Sequence, residues 1–303
     1  MGKRLFLVLI FVILLSSCAT GDSQPFITIQ PTLDADTLDG QAYFGEETPG
    51  AEPIKFGVGF LNGRYHSSPV FSPDGESVWW AGAYNTATTY HSQLVDGVWL
   101  EPEIVEFSEE INSYRDPFVS PDGQRLYFIS ASALPGETSS GKENIWMMEK
   151  AGEEWGEPEP LPDVINQYSL HWTISVANNY NLYFAANDRG KSDIYVSEYL
   201  NGGYQEPVML DEIISSDVIE FTPNIAPDES YLLFSRLEDR NSNPYLYITY
   251  ATESGWSEPQ EVENIPYCIS PIITPDRNYV IFMGGPTSIY WRDTSFVEAL
   301  RVE

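Results

Sequence analysis

Basic residues and cysteines are scarce in this chain. Against 45 Asp and Glu there are only 15 Lys and Arg, which gives a formal net charge of −30 over 303 residues. Such a surface repels phosphate backbones and anionic lipid faces, so nucleic acid is excluded as a partner, as is membrane attachment through a basic patch. The two cysteines, Cys18 and Cys268, leave no intramolecular disulfide once Cys18 is modified, and stability must come from packing. The run Leu5 to Leu15 is apolar for eleven residues, too few to span a bilayer. No Gly-x-Ser-x-Gly elbow, His-Glu-x-x-His pair or phosphate-cradling glycine loop occurs, so the local signatures of those chemistries are missing.

What the chain does have is a repeat. Pro69-Val-Phe-Ser-Pro-Asp-Gly75 runs into Val78-Trp79-Trp80, and Pro117-Phe-Val-Ser-Pro-Asp-Gly123 into Leu126-Tyr127-Phe128. Three weaker copies are Thr173-Ile-Ser-Val-Ala-Asn-Asn179 into Leu182-Tyr183-Phe184, Pro223-Asn-Ile-Ala-Pro-Asp-Glu229 into Leu232-Leu233-Phe234, and Pro271-Ile-Ile-Thr-Pro-Asp-Arg277 into Val280-Ile281-Phe282. With the turn markers at 73, 121, 177, 227 and 275, the steps are 48, 56, 50 and 48 residues, a period that indicates propeller blades. Pro pre-sets φ at the first corner of the turn, Asp suits the second, and Gly or Asn tolerates the positive φ of the return, so each copy is a hairpin.

A second marker follows each of the first four hairpins: Gly97-Val-Trp-Leu-Glu-Pro102, Glu154-Trp-Gly-Glu-Pro158, Gly203-Tyr-Gln-Glu-Pro207 and Gly255-Trp-Ser-Glu-Pro259. Its proline sits where a ladder N–H would be unused, as on an edge strand. Third strands lie between the markers, at Tyr90 to Val95, Asn144 to Met148, Asp193 to Glu198, Tyr245 to Tyr250 and Ile289 to Arg292, which makes four strands per unit. Glu52-Pro-Ile-Lys-Phe56 looks like an outer strand without its hairpin, and the last unit lacks one and ends in a short helix over Ser295 to Val302. These two defects predict that residues 52 to 56 complete the last blade and close the ring. The expected fold is all-β, a single propeller of five four-stranded blades; six would need further strands within residues 24 to 50. The aromatic content of 14% reads as walls between blades.

Residues 1–17 read as a signal segment, 18–51 as a tether and lead-in, and 52–303 as the propeller. Leu15-Ser-Ser-Cys18 resembles the lipobox of bacterial lipoproteins, which implies cleavage before Cys18 and its acylation. Ala19 and Thr20 follow without an aspartate at the second position, which favours the outer membrane under the proteobacterial sorting rule. Asp34-Ala-Asp36-Thr-Leu-Asp39-Gly40 approaches a calcium loop, but its third acid comes one residue late for that spacing.

The combination of Ser-Pro-Asp-Gly, Leu-Tyr-Phe, Asp193-Ile194-Tyr195 and Gly-x-Trp/Tyr-x-x-Pro resembles the TolB-like propeller repeats, the Pro-Asp relatives of WD repeats, over residues 52 to 292. The closing Ile289-Tyr-Trp-Arg-Asp293 and helix resemble lipoproteins of this group in Bacteroidetes-like bacteria. The resemblance implies an envelope protein with a propeller that binds partners. It does not imply a role in the Tol system, since no α/β domain of the TolB type fits in residues 19 to 51. The matching residues are turn and wall positions, which speak for fold rather than function.

Function in such a fold gathers where loops enter the inner strands at one mouth of the axial channel. Alignment on the turn gives successive rings: His66, Tyr114, Leu170, Glu220 and Cys268; then Ser67, Arg115, His171, Phe221 and Ile269; then Ser68, Asp116, Trp172, Thr222 and Ser270. His66, Tyr114, Arg115, Asp116, His171, Trp172 and Glu220 are the candidate binding residues. Arg115 would engage a carboxylate and Trp172 or Tyr114 would offer a stacking face, unless Arg115 pairs with Asp116 or Glu220. His66, His171 and Glu220 have ligand types acceptable for a metal, and Asp116 with Glu220 could serve glycoside hydrolysis. Cys268 reads as a small buried residue rather than a nucleophile, and His91, on a third strand, as structural. The sequence thus favours a non-catalytic platform for an envelope protein or a glycan, with no cofactor and the membrane reached only through the anchor. A glycan hydrolase or metal-dependent lyase is the alternative.

Overall fold

The computed structural model describes residues 43–301 apart from 62, 83–87, 109, 110, 112, 139–141, 169, 188, 189 and 240, and the side chains of 170–172 also lie outside the description. Residues 1–17, read above as a signal segment, Cys18 and the calcium-loop-like stretch lie outside the described residues as well.

The expected five blades are present, each an antiparallel sheet. Inner strands Val70–Phe71, Arg115–Val119, Leu170–Val176, Ile219–Ile225 and Ile269–Ile273 pair with second strands Ser77–Gly82, Arg125–Ser130, Leu182–Ala186, Tyr231–Leu237 and Tyr279–Met283. Third strands follow at Thr88–Val95, Asn144–Ala151, Asp193–Ser197, Tyr245–Thr252 and Ile289–Asp293, and short outer strands cover their free edges.

The Pro-Asp turns form for the reason their residue types suggest. Gly75, Gly123, Glu229 and Arg277 donate their N–H to the carbonyl three residues back at 2.8 Å, and their φ values lie between 58° and 75°. In those turns the aspartates Asp74, Asp122, Asp228 and Asp276 accept from the N–H two residues on, an Asx turn that locks the corner. In the third unit Asn179 takes the aspartate's place and Tyr180, with φ 65°, the glycine's. That turn is one residue shorter: Ala177 N–H bonds Asn181 O, whereas Ser72 bonds Ser77 and Ser120 bonds Arg125. The third turn marker is therefore Asn178 rather than Ala177, which moves that blade's inner strand by one position against the others.

Within every blade a second-strand aromatic stacks on its directly paired third-strand partner. The pairs are Trp80 with Tyr90, Phe128 with Trp146, Phe184 with Tyr195, Phe234 with Tyr247 and Phe282 with Tyr290, with centroids 5.5 to 6.5 Å apart and interplanar angles of 10° to 24°. Such cross-strand pairs are the unit of sheet stabilisation. Gly82 and Gly284 let the tyrosine of the first and last pair lie over the neighbouring backbone, since a Cβ there would meet the Tyr90 or Tyr290 ring at 2.6 or 2.5 Å. Between blades, hydrophobic walls combine residues of both neighbours, as where Tyr127 and Ile145 meet Phe184 and Tyr195.

The ring closes as the orphan strand predicts. Ile54–Lys55 pairs antiparallel with Ile289–Asp293, Ile54 opposite Trp291, and Phe56 N–H donates to Ile289 O at 3.0 Å. The chain joins this body before residue 52. Phe44 is buried among Phe56, Phe60, Phe71 and Trp99, and Glu46 accepts the N–H groups of Gly57 and Val58. The C-terminal helix is shorter than expected, Ser295–Ala299, and places Phe296 and Val297 in the wall between the last two blades. A four-residue helix, Asp163–Asn166, has no signature in the repeat; its Asn166 side chain bonds Ile145 N–H and the carbonyls of Ile145 and Leu161. Among the described residues no helix is long and apolar enough to cross a membrane.

Phe56 lies at the seam against Trp291, with centroids 4.8 Å apart, whereas Val58 two residues on is 70% exposed. Phe56→Ala is expected to cost about 3–5 kcal/mol by urea denaturation. Val58→Ala should stay within about 0.5 kcal/mol of the parent. A Phe56→Ala loss as small as that of Val58→Ala would mean that the seam carries no stability.

Candidate functional site

At the end of the channel opposite the Pro-Asp turns, four inner strands enter through a register shift, between Arg115 and Phe118, Leu170 and Ile174, Phe221 and Asn224, and Ile269 and Ile272. Asp116, Thr173, Thr222 and Ser270 there adopt left-handed φ of 49°, 47°, 50° and 54°. That conformation is unfavourable for a β-branched threonine and typically costs about 1–3 kcal/mol per residue. Hydrogen bonds between blades hold it. Thr173 N–H donates to Asp116 Oδ2 at 3.3 Å, Ser270 N–H to Thr222 Oγ1 at 3.2 Å, and Ser68 N–H to Ser270 Oγ at 3.2 Å. A second tier repeats the device, with Ile225 N–H on Ser175 Oγ and Ile273 N–H on Asn224 Oδ1, both at 3.0 Å.

These bends correct the rings read from sequence. Thr173, rather than Trp172, is the counterpart of Asp116, Thr222 and Ser270. His171 therefore joins the level of His66, Tyr114, Glu220 and Cys268; Trp172 joins that of Arg115; and Leu170 drops out of the first ring.

The structure divides the candidate residues into two charged groups. Between the first and second blades, His66 Nδ1 lies 2.8 Å from Asp116 Oδ1, and both side chains are nearly buried. The Asp116 carboxylate raises the His66 pKa above its ordinary value, against the opposing effects of burial and of the Arg115 charge. Arg115 pairs with neither Asp116 nor Glu220; its Nη1 lies 2.6 Å from Glu143 Oε1. Tyr114 is not an open stacking face. It is buried edge-on against Phe107, and its hydroxyl both donates to Ser108 O and accepts from Ser108 N–H.

The second group sits where the third and fourth blades meet. Glu220 is fully buried, with Arg236 Nε 3.1 Å from its Oε1 and Ser216 Oγ donating to the same oxygen at 2.5 Å. Among the described residues its Oε2 has no hydrogen-bond partner. Burial raises the Glu220 pKa, while the Ser216 bond and the Arg236 and Lys191 charges oppose the rise. Lys191 bonds Asp193 alongside. Arg236 was missed in the sequence, although the hairpin register that sets it opposite Glu220 was available from the turn. Cys268 is wholly buried, and burial pushes its thiol pKa up, away from a nucleophile's.

His171 and Trp172 lie on the third inner strand, but their side chains are outside the description. Among the described residues no three His, Cys, Asp or Glu side chains are grouped to hold a metal ion. His91 stacks on Trp79 with centroids 3.8 Å apart.

No protein-family model matches the chain, and no curated protein does. Among solved structures it is similar to a putative TolB from Agrobacterium tumefaciens, at 18% identity and TM-score 0.49 over 71% of this chain and 68% of that one. It is also similar to TolB from Acinetobacter baumannii, at 15% identity and TM-score 0.49 over 74% of this chain, which spans about half of that protein (53%). A gluconolactonase from Xanthomonas campestris follows at 10% identity and TM-score 0.46 over 77% of this chain and 87% of that one.

The raised His66 pKa makes stability pH-dependent. The folded protein holds this proton more tightly than the unfolded chain, so the pair's contribution is complete below the unfolded value near 6.5 and is lost as pH rises through the higher folded value. The expected result is that the parent loses more stability between pH 5.5 and pH 9 than His66→Gln does. Parallel losses in the two proteins would remove His66 as the titrating group. At pH 5.5, Asp116→Ala should cost about 3 kcal/mol, because it leaves a buried imidazolium without its partner.

Proposed function

We propose that this chain is a lipid-anchored propeller of the bacterial envelope that binds a protein or a glycan at the channel mouth without chemical turnover. The observation that carries this reading is how the acid–base groups at the mouth are used. Asp116 bonds His66 of one neighbouring blade and Thr173 of the other, while Arg115 holds Glu143. Groups engaged in this way fix a polar rim and are poorly placed to exchange protons with a substrate. Recognition at such a rim needs only convergent polar groups held rigidly, which the blade-to-blade bonds provide. The net charge of −30 disfavours nucleic acid, and Cys18 is the proposed acylation site.

A second reading rests on Glu220. A buried carboxyl with a raised pKa and one oxygen without a hydrogen-bond partner among the described residues has the make-up of a general acid, and so supports a glycan hydrolase or lyase.

Two measurements separate these readings. Incubation of the full chain with envelope polysaccharides and peptidoglycan fragments, followed by mass spectrometry and by retention on the immobilised glycans, should show retention without new products, and Arg115→Ala should weaken retention about tenfold. New products that disappear in Glu220→Gln would overturn the platform in favour of the enzyme. Metabolic labelling with a radiolabelled fatty acid should mark the parent and not Cys18→Ala; equal labelling of the two would remove the anchor.

A further inference from the structure

At the other end of the axial channel, among the Pro-Asp turns, a cavity of about 250 Å3 opens. All five blades line it, and the turn prolines of four of them form its rim. Strand register places Val70, Phe118, Ser175, Asn224 and Ile272 at one level of the channel, because each pairs with the middle residue of its blade's second-strand triplet: Trp79, Tyr127, Tyr183, Leu233 and Ile281. Three of the five are apolar and line the cavity. The two polar ones each accept an N–H from the next blade at 3.0 Å, Ser175 Oγ from Ile225 and Asn224 Oδ1 from Ile273.

Asn224 carries more than this bond requires, since a serine hydroxyl performs it one blade earlier. A backbone N–H can only donate, so its partner on Asn224 is the oxygen, and the NH2 of the amide is turned elsewhere. Asn224 is 3% exposed and lines the cavity. Among the described residues its Nδ2 has no hydrogen-bond partner, yet the nitrogen is not sealed from solvent, and on this inner strand the space that it meets is the cavity. A donor facing apolar walls is costly unless an acceptor meets it. The one charged residue of the lining, Arg277, is already held to Asp228 at 2.9 Å.

We infer that this cavity binds a small uncharged carbonyl compound with a compact apolar body. The carbonyl oxygen accepts from Asn224 Nδ2 at the inner end, and the body lies between Val70, Phe118 and Ile272 beneath the proline rim, an apolar enclosure with one polar group to fix orientation. A cavity of about 150 Å3 holds benzene, so this one has room for a ring with a short substituent. Charge narrows the class. A chain of net charge −30, with Arg277 neutralised, disfavours an anion, and a cation brings no acceptor for Asn224 and would lose its hydration among apolar walls. This site lies away from the mouth and does not depend on what is recognised there.

The test titrates the full chain in detergent with benzamide, benzoate and benzamidinium, three probes of one shape, by isothermal calorimetry against a detergent blank. Benzamide is expected to saturate one site per chain, and the two ions to bind at least about fivefold more weakly. Asn224→Ser, which keeps an acceptor for Ile273 N–H as Ser175 does for Ile225, and Val70→Phe, which fills the space as Phe118 does at the same level, should each weaken benzamide about tenfold with parent-like circular dichroism. Should a variant fail to fold, the order of the probes on the parent still decides. Benzamidinium binding as tightly as benzamide would overturn the site and leave only the attraction of surface acids. Benzamide binding unchanged in both folded variants would overturn it by placing the probe elsewhere, and so would the lack of any saturable benzamide binding to the parent.

Discussion

Ring closure is the constraint on which the rest of this structure depends. A four-stranded blade buries its faces only against neighbours, and each hydrophobic wall here is built from two blades. The seam between the fifth and first blades is made by the two-residue strand Ile54–Lys55 from the opposite end of the chain, backed by Phe44, Phe56 and Trp291. With the seam shut, the third strand of the last blade has no exposed edge and the first blade has a wall on both sides. The bonds of His66 and Thr173 to Asp116, of Ser270 to Thr222 and of Ser68 to Ser270 also cross between blades, so they depend on neighbouring blades being packed together.

Closure brings five inner strands close together, and the bends at Asp116, Thr173, Thr222 and Ser270 answer that crowding. Each left-handed residue interrupts the strand's pairing with its own hairpin partner, as the register shifts show. The side chains of Asp116, Thr222 and Ser270 then accept backbone N–H groups from the next blade. Unfavourable backbone at one place is thus offset by bonds that tie adjacent blades, and the mouth becomes rigid as a consequence. Serine, threonine and aspartate fit this task because they are short and carry an acceptor close to the backbone.

The sequence made the architecture legible because its signals are local. Ser-Pro-Asp-Gly specifies a turn through contacts within six residues, and the aromatic that follows specifies a stack on a directly paired strand. The mouth was only partly legible. His66, Asp116 and Glu220 could be brought to one end of the channel by counting back from the turn, but their partners depend on geometry between blades. The third blade exposed the limit of counting. Without Pro-Asp in Ala177-Asn178-Asn179 nothing in the sequence indicated a turn one residue shorter, and the left-handed φ at Thr173 and Tyr180 was needed to set the register. Asn166 was hidden for a different reason, since its three bonds replace backbone pairing in a loop outside the repeat.

The scarcity of bases acquires a structural meaning once they are located. Arg115, Arg125, Lys191 and Arg236 hold carboxylates at or between blades, Arg277 links two turns through Asp228, and Arg292 lies over Phe296 in the last wall. Bases committed to such internal contacts neutralise the acids they touch and few others. With 45 acids to 15 bases, most acids among the described residues stand without a basic partner, and the field outside the molecule is strongly negative. Self-repulsion of that charge weakens a compact fold. In this chain the repulsion is resisted by stacked aromatics and closed sheet edges, interactions that salt and pH hardly alter. The division of labour follows from composition: apolar rings hold the propeller together, a few cations stitch its blades, and the remaining acids are left to meet whatever approaches.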